Sequence, residues 1–350
     1  MIFRVTALLL LALPAFALER LPTPAHDYFL EIAKDRVPGH SLIAKFGENP
    51  DLPSGLVYET VWDGSILYVP PVAAVVHNVS STLAADAGSV LSSGTASGGS
   101  LTTLIDLDAT FSTDTVAAGD IVLNDTSVEI CLVTTVTETM LTCAGSMRSP
   151  NSGLVGFANV VGDSYRIVTN ASTGASILHI LGLDGNFLQI EEFVVLNGLG
   201  DVPTIGLYSR QYRARVFGPG TTAAAGTITS VTDDIAATVT LQIIGDNNQT
   251  LMAIFTCPAD KICYVLKWWG SMARAIASAV SIVHLRGGTL GGIGYVLQTR
   301  AINTVGNSSF NYDYVVPIAI PGGSDIWVEA ASTANSVGVA SGFDIIVVGF

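Results

Sequence analysis

The sequence predicts an all-β protein of several domains, with an antiparallel β-sandwich of jelly-roll type at its C-terminal end. Short runs of β-branched and aromatic residues, bounded by Gly, Asn, Asp and Pro, follow one another from Val239 to Phe350. Such runs are typical of strands joined by tight turns. The composition agrees, because only 13% of residues are charged, and Lys and Glu, which favour helix surfaces, are scarce.

The first residues have the composition of a secretory signal. Arg4 precedes an apolar stretch over Val5–Leu13, and Ala15-Phe16-Ala17 matches a small-residue cleavage site. We therefore expect residues 1–17 to be a signal peptide that is cleaved near Ala17. The alternative is an apolar N-terminal segment that packs within a protein that is never exported.

Residues 18–71 predict a short helix followed by an irregular but ordered N-terminal arm. Apolar residues over Phe29–Ala33 favour the helix, which we expect to stop at Pro38-Gly39. The stretch from there to residue 71 is rich in Pro and Gly but also in aromatic residues, which disordered segments lack. We expect this arm to pack on its own subunit or on a neighbouring one.

Two motifs in this arm resemble a known family. Lys45–Asp51 reads KFGENPD, and Val61–Gly64 reads VWDG. Together they resemble the N-terminal signature of structural proteins of tailed phages, especially marine ones. The resemblance covers most of residues 26–350 in separated blocks, which include Gly182–Phe187 and Gly342–Ile346. The tract after VWDG is SILY, where a more Gly-rich one is typical of the family.

The middle of the chain predicts a β domain that is interrupted by a smaller β module. Residues 72–94 and 166–235 form the first β domain, and a Gly/Ser/Ala-rich linker leads into the inserted module at 95–165. The module, which we expect to be a small barrel or meander, resembles β modules that recur in phage virion proteins. Asp184-Gly185 predicts a hairpin turn in the first β domain. The C-terminal sandwich then occupies residues 236–350.

The four cysteines form two pairs that are close in sequence. Cys131 and Cys143 make one pair, and Cys257 and Cys263 make the other. Each pair falls near opposite positions of a predicted hairpin, where opposed Cβ atoms lie about 4.5–5.5 Å apart. We predict two disulfides and an oxidising compartment, with free buried thiols as the alternative. No C-x-x-C pair or matching His spacing predicts a zinc site.

The charge balance of the chain bears on its partners. The formal net charge is −14 at pH 7 and the pI is near 4.5. Nucleic-acid binding needs clustered Lys and Arg, so we expect no nucleic-acid partner. Mean hydropathy is +0.52. Beyond the N-terminus, however, no apolar run approaches the roughly 18 residues that span a bilayer, so we expect no membrane span in the mature chain.

No catalytic constellation is evident in the sequence. There is no G-x-S-x-G motif, and the five His are scattered without H-x-H or H-E-x-x-H spacing. Asp106 and Asp108 would share a face of a strand, as Ca²⁺ ligands do, but solvated turn carboxylates are the simpler interpretation. Glu191 and Glu192 would point to opposite faces, a poor geometry for a glycosidase pair. We expect no enzymatic activity, no cofactor and no resident metal.

One basic stretch stands out from the acidic background. LYSRQYRARVFG, at 207–218, predicts a strand with Tyr208, Arg210 and Tyr212 on one face and Gln211, Arg213 and Arg215 on the other. Because Tyr and Arg are favoured at interfaces, we predict partner contacts here, with an ordinary exposed strand as the alternative. The candidate interface residues are Tyr208, Arg210, Tyr212, Arg213, Arg215, Trp62 and Phe46.

The family resemblance implies a non-enzymatic structural protein of a phage particle, placed as a head decoration or at the tail. It implies a homo-oligomer, with a trimer as one expectation, and contacts with other virion proteins such as the major capsid protein. The signal segment and the paired cysteines favour a second interpretation, a secreted self-assembling or adhesive β protein such as a filament or surface-layer subunit. Aromatic residues such as Trp268 and Trp269 leave a carbohydrate-binding module or a glycan-acting enzyme as a third.

Overall fold

The computed structural model describes residues 25–34, 36–147, 161–169, 173–217, 223–273, 279–290, 292–304 and 308–349. In these ranges the chain forms one short helix and is otherwise built from strands and turns, which confirms the predicted all-β class. No helix in these ranges is both long and apolar enough to cross a membrane. The elements are α1 (Ala25–Ala33), β1 (His40–Leu52), β2 (Glu59–Thr60), β3 (His77–Ser81), β4 (Val90–Thr95), β5 (Gly98–Ser100), β6 (Thr103–Ile105), β7 (Ile121–Asn124), β8 (Glu129–Val136), β9 (Met140–Met147), β10 (Ser164–Val168), β11 (Ile177–Leu183), β12 (Gln189–Val195), β13 (Val202–Pro203), β14 (Arg210–Phe217), β15 (Ile228–Thr232), β16 (Val239–Ile243), β17 (Ile254–Thr256), β18 (Lys261–Ala273), β19 (Ala279–Gly288), β20 (Gly294–Thr304), β21 (Ser308–Pro321), β22 (Asp325–Ser332) and β23 (Val337–Gly349).

Eight of these strands form a jelly roll. One sheet has the order β1-β23-β18-β21 and the other the order β17-β22-β19-β20, with antiparallel pairing throughout. Counted along the chain, the first of the eight lies beside the last, and the second lies beside the seventh. This is the double Greek-key order of a jelly roll. The short β2 adds to the second sheet by pairing with β22.

The core of the jelly roll lies between its two sheets. Alternate residues of β18 and β23 point inward, among them Val265, Phe343 and Ile345, and each is fully buried. The facing sheet contributes Val283, Leu285, Ile326 and Val328 to the same core. Alternation with a period of two is therefore what divides these strands into a buried and an outer face.

The first strand of the jelly roll comes from the stretch for which an irregular arm was predicted. β1 pairs with β23 from His40↔Val348 to Leu52↔Val337, with a register shift after Asn49 that accommodates Pro50. The strand was not predicted because Gly47 and Pro50 within KFGENPD are residue types that are rare in strands. Residues 53–71 keep the predicted irregular path apart from β2, and α1 packs against β1.

Between β1 and β17 the chain leaves the jelly roll and builds a second sandwich, here called the middle sandwich. Its sheets are β12-β11-β14 and β13-β3-β15-β16. Their shared core contains Leu178, Ile180, Ile228 and Leu241. β16 pairs with β15, so Val239–Ile243 belongs here and not to the C-terminal sandwich where the sequence analysis placed it. The apolar pattern of this strand is compatible with the middle sandwich and with the jelly roll, and only its pairing with β15 shows that it belongs to the middle sandwich.

A seven-stranded sheet, β4-β10-β7-β8-β9-β6-β5, is in turn inserted between β3 and β11 of the middle sandwich. This module has its own core, which includes Leu104, Phe111, Val133 and Tyr165. A further apolar cluster joins it to the middle sandwich: Ile121, Leu123, Ile130, Val168, Ile177 and Phe193. The module begins with β4 and ends with β10, so it is slightly longer at each end than the predicted 95–165.

Asp86 anchors the point where the module enters and leaves the middle sandwich. Its carboxylate is fully buried and accepts the Ser81 hydroxyl at 2.6 Å and the Ala175 N–H at 2.8 Å. The N–H groups of Ala225 and Gly226 also donate to it, each at 2.8 Å. Because several donors satisfy one carboxylate, it can be buried without a cationic partner.

Both predicted disulfides are present. Cys131 and Cys143 are joined across the β8–β9 hairpin, with Cα atoms 5.7 Å apart. Cys257 and Cys263 are joined with Cα atoms 5.9 Å apart. The second pair does not close a hairpin, because β17 and β18 lie in different sheets of the jelly roll. It therefore ties the corner at which the chain crosses from one sheet to the other.

Candidate interaction surface

One edge of the jelly roll is open. β21 is the outermost strand of its sheet and pairs with β18 on one side, while its other side faces no strand in the part of the chain that the structure describes. β20 is likewise outermost in the facing sheet. Because β1 and β17 contact each other at the opposite flank, β20 and β21 lie together on this one. Unpaired strand edges present rows of N–H and C=O groups that another strand can join.

The middle of β21 protrudes from this open flank. Val265 pairs with Ile318 and Lys267 pairs with Asp313, so residues 314–317 stand opposite a single residue of β18. We call residues 314–317 the β21 bulge. Val315 is 99% exposed and Val316 is 77% exposed. Natural edge strands are blunted by charged side chains, proline or bulges. Pro317 and the bulge interrupt pairing at this point of β21, but the two adjacent exposed valines leave apolar surface in water.

More apolar surface lies on the same flank. Ile293, in the turn before β20, is 93% exposed, and Tyr295 and Val296 at the start of β20 are about half exposed. Arg300 of β20 stacks over the Tyr312 ring at 5.0 Å, which holds the two edge strands in contact through side chains. The flank therefore combines free backbone groups with exposed apolar side chains.

The other edge of the same sheet, formed by β1, is covered by the chain itself. We call residues 53–253, which lie between β1 and β17, the inserted segment. Gly47 approaches this segment so closely that a Cβ atom would lie 2.3 Å from both the Ala253 nitrogen and the Val61 oxygen. The Lys45 ammonium donates to the Tyr212 carbonyl. Asn49 donates to the Glu59 carboxylate at 2.9 Å. These contacts hold the inserted segment against the inward face of β1.

The KFGENPD and VWDG motifs meet at this covered edge. Lys45, Gly47 and Asn49 are alternate residues of β1, and all three are buried toward the inserted segment. Trp62 is buried against Tyr68, with ring centroids 5.3 Å apart, and donates its indole N–H to the Ile66 carbonyl. The motif residues therefore seat the insertion against the first strand of the jelly roll.

Most of the predicted interface residues are buried within the subunit. Tyr208, Tyr212 and Trp62 are each less than 5% exposed, and Arg210 is 6% exposed. Tyr212 packs edge-on against Phe255 at 5.0 Å, and Tyr208 packs against His77 at 6.0 Å. These four side chains are thus not available to a partner: Arg210 and Tyr212 of β14 face the jelly roll, Tyr208 lies in the core of the middle sandwich, and Trp62 packs in a separate apolar cluster. Phe46, Arg213 and Arg215 are half-buried and remain accessible.

Arg210 joins the two bodies. Its guanidinium binds the fully buried Asp325 carboxylate of β22 through two contacts of 3.1 and 3.2 Å. Asp325 also accepts the Leu290 N–H at 2.8 Å and the Thr256 hydroxyl. A two-pronged arginine contact with further donors is the arrangement in which a buried ion pair is best compensated.

The acidic candidates of the sequence analysis take up structural positions. Asp106 accepts the buried Tyr165 hydroxyl at 2.7 Å and the Asp108 N–H at 3.0 Å. Glu191 binds His179 at 3.0 Å, and Glu192 on the opposite face accepts the Ile205 N–H. Within the described ranges, no group of three His, Cys, Asp or Glu side chains is placed to hold a metal ion.

A cavity of about 260 Å³ lies where the module meets the middle sandwich. Its lining includes Arg166, Glu192, Ile205 and Tyr208. Burial raises the pKa of Glu192, although N–H groups donated to its carboxylate oppose this. Burial and the neighbouring Glu192 raise the pKa of Tyr208 well above its ordinary value. Both shifts have burial as their largest cause, as expected of a domain junction that excludes water.

No protein-family model and no curated protein matches this chain. Among solved structures, the chain has 10% identity to one titled "Structure of infectious bursal disease virus Gx strain", covering 80% of this chain and 74% of that one with a TM-score of 0.19. A crystal structure of the T13 particle of the same virus also has 10% identity, covering 91% of this chain and 74% of that one with a TM-score of 0.19. TM-scores this low carry no argument about fold or function.

The open flank was missed by the sequence analysis, although one signal was present. Val315-Val316-Pro317 places a proline inside an apolar strand, and proline within a sheet is confined to edge strands and bulges. The interface was predicted instead at the basic stretch 207–218, because Tyr and Arg are common at interfaces. Its burial could not be read from the sequence, since it depends on Asp325, which lies more than a hundred positions further along the chain.

Proposed function

We propose that this chain is a non-enzymatic structural subunit that assembles with copies of itself into a virus-type particle through contacts between its β domains. The observation that carries the proposal is the open flank of the jelly roll, where β21 has a free edge and exposed valines. Jelly rolls occur in viral capsid proteins and also in lectins, so the fold alone does not distinguish these two functions. The free edge favours self-association, because a strand edge is complementary to another strand edge.

The energetics of the flank favour a second copy as its occupant. Fully burying a valine side chain stabilises a contact by about 1.5–3 kcal/mol. Val315 and Val316 together therefore supply several kcal/mol that the isolated subunit does not use. Backbone pairing along β21 would fix the orientation of the two copies, since register follows the hydrogen-bond ladder.

The finer assignment is to a tailed phage, with the chain in the virion as a head decoration or a tail component. The KFGENPD and VWDG motifs support it through the family that they resemble. In this assignment the partners are further copies of the chain, with a trimer as one expectation, and other virion proteins such as the major capsid protein. The chain itself would supply no catalysis, no cofactor and no nucleic-acid contact.

Assembly of the purified chain tests the proposal. We expect wild-type protein to form oligomers or particles in light scattering and negative-stain electron microscopy. Val315→Asp combined with Val316→Asp should leave single subunits, because two carboxylates would be buried in the contact. Ile235→Asp is the matched control, since Ile235 is fully exposed in a turn of the middle sandwich. A wild-type chain that stays monomeric at all concentrations, or a double variant that still assembles, would contradict the proposal.

A second candidate is a secreted self-assembling β protein. The two disulfides favour it, because disulfides form and persist in oxidising compartments. The predicted signal peptide at 1–17 lies outside the described residues. Mass spectrometry of the native protein separates the candidates. A chain beginning at Leu18 in medium free of particles supports secretion, and an intact Met1 in purified particles supports the virion role.

A further inference from the structure

Three cationic side chains meet where the jelly roll joins the middle sandwich. Lys45 comes from β1, and Arg213 and Arg215 come from one face of β14, two positions apart. The Lys45 ammonium donates to the Tyr212 carbonyl, and the Arg213 guanidinium donates to the Ala44 carbonyl. Each contact links β1 to β14 and so brings the three cations together. We call Lys45, Arg213 and Arg215 the cationic notch.

The notch differs from three other arginine sites of the jelly roll, the middle sandwich and the module in lacking a carboxylate. Arg166 pairs with Asp125 at 2.7 Å, Arg210 pairs with Asp325 and Arg286 pairs with Glu329 at 3.2 Å. Among the residues that the structure describes, none of the three cations of the notch has an acidic group within 4.0 Å. The contrast is sharpest on β14, where Arg210 is neutralised and the next two arginines are not.

The three charges act on one another. Lys45 is 2% exposed, and burial together with the two arginines holds its pKa well below its ordinary value. Burial and Arg215 lower the pKa of Arg213 to about 10. Like charges in a partly buried site repel more strongly than in water. The fully charged arrangement is therefore costly unless a negative charge occupies the notch or Lys45 loses its proton.

The free hydrogen-bond donors show where such a charge would bind. The Arg213 guanidinium and the Lys45 ammonium already donate to backbone carbonyls. The Arg215 guanidinium makes no side-chain hydrogen bond or ion pair with any described residue. Arg215 is half-buried and reaches solvent. A guanidinium presents a planar fork of donors that matches the oxygens of a phosphate or sulfate. A bound anion would stabilise the charged form of Lys45 on the buried side.

We propose that the cationic notch binds a small tetrahedral oxyanion, a free phosphate or sulfate, with Arg215 as its main donor and Arg213 and Lys45 supplying charge. A small anion fits better than a nucleic acid for two reasons. The notch holds only three cations between two packed bodies, and the chain around it carries a net charge of −14, which repels an extended polyanion. The site is independent of the open flank and of assembly.

Titration with inorganic phosphate tests this proposal. Isothermal calorimetry on the full chain at pH 7 should show saturable binding of phosphate, and phosphate should raise Tm more than chloride at the same ionic strength. Arg215→Gln should weaken binding at least tenfold, and Arg215→Lys should fall between. Arg300→Gln is the matched control, because Arg300 stacks on Tyr312 outside the notch. This variant should bind phosphate like wild type.

Two results would overturn the proposal. One is a wild-type chain with no binding heat and no rise in Tm beyond that in chloride. The other is an Arg215→Gln variant that binds phosphate as tightly as wild type while its Tm in chloride shows it to be folded. Should Arg215→Gln fail to fold, Arg215→Lys supplies the comparison, and unchanged affinity in that variant counts against a forked guanidinium contact.

Discussion

The two edges of the four-stranded sheet in the jelly roll differ in what lies beside them. At the β1 edge, Lys45, Gly47 and Asn49 contact the inserted segment, and the Ala44 carbonyl accepts the Arg213 guanidinium. At the β21 edge, Val315 and Val316 stand in solvent beside free backbone groups. Edge strands invite pairing with other chains unless they are covered. One edge is thus closed by the chain itself, and the other is left for a partner.

This difference explains the place of the insertion. The middle sandwich and its module both lie between the first and second strands of the jelly roll, so the chain leaves from one edge and returns beside it. The insertion therefore covers the edge from which it starts. β21 lies on the far side of the four-stranded sheet, with β23 and β18 between it and β1, although the packing of the insertion extends to Leu290 in the turn before β20. Self-assembly through β21 and closure of β1 are consequently separable by mutation.

The largest expected effect comes from the joint between the bodies. Arg210→Ala would leave the Asp325 carboxylate fully buried with its cationic partner gone. Removing one member of a buried ion pair costs about 3–5 kcal/mol. We expect a fall of that size in the free energy of unfolding, measured by urea denaturation. Arg300→Ala, at a half-exposed stacked arginine, should cost less than about 1 kcal/mol. Equal costs for the two variants would show that the joint does not hold the covered edge in place.

The next effect tests the closeness of the covered edge itself. Gly47→Ala would place a Cβ atom 2.3 Å from backbone atoms of Ala253 and Val61, so one of these segments must move. We expect a loss of about 3 kcal/mol in the free energy of unfolding, which is at the upper end for overpacking. Gly338→Ala on β23 is the matched control, because its Cβ would meet nothing closer than 3.7 Å. A Gly47→Ala variant as stable as the control would mean that β1 is less tightly covered than the structure shows.

Much of the fold could be read from the sequence because it depends on local signals. The Asp184-Gly185 turn joins β11 and β12 as predicted, and both cysteine pairs are bridged. These features involve neighbours in the chain, and local turn chemistry specifies them. The role of β1 could not be read, because its partner β23 lies at the other end of the chain and its sequence carries Gly and Pro.

The candidate site was harder to predict than the fold. Residue type predicted that Tyr208, Arg210 and Tyr212 contact a partner, but these side chains are buried within the subunit. Tyr and Arg suit interfaces between chains and interfaces between domains equally well, and only tertiary packing separates the two cases. The β21 bulge, by contrast, arises from a mismatch in register with β18, which no single strand reveals.

A smaller effect depends on pH and comes from Asp63 at the covered edge. Burial, with a contribution from Glu48, raises the pKa of Asp63 from 3.8 to about 7. Between those values the folded chain holds a proton that the unfolded chain has lost, so this group stabilises the fold at low pH and the contribution disappears as pH rises toward 7. We expect wild type to lose on the order of 2 kcal/mol relative to Asp63→Asn between pH 5 and pH 8.

The comparison with Asp63→Asn is needed because His77 works in the opposite direction. Burial lowers the pKa of His77 from 6.5 to about 4, so its contribution to stability is lost as pH falls through that range. Subtracting the two denaturation profiles removes this shared term. Parallel profiles for wild type and Asp63→Asn would show that the Asp63 carboxyl is ionised in the folded chain at neutral pH.

The smallest effect on the subunit is expected at the open edge. Val315→Ser and Val316→Ser remove apolar atoms that are already in water, so the free energy of unfolding of the monomer should change by less than about 0.5 kcal/mol. The same change at Val339, which is buried on β23 of the same sheet, should cost several times more. Urea denaturation at a protein concentration below assembly measures both. If the Val315 and Val316 variants unfolded as easily as Val339→Ser, the bulge would be packed within the subunit, and the two edges would no longer differ.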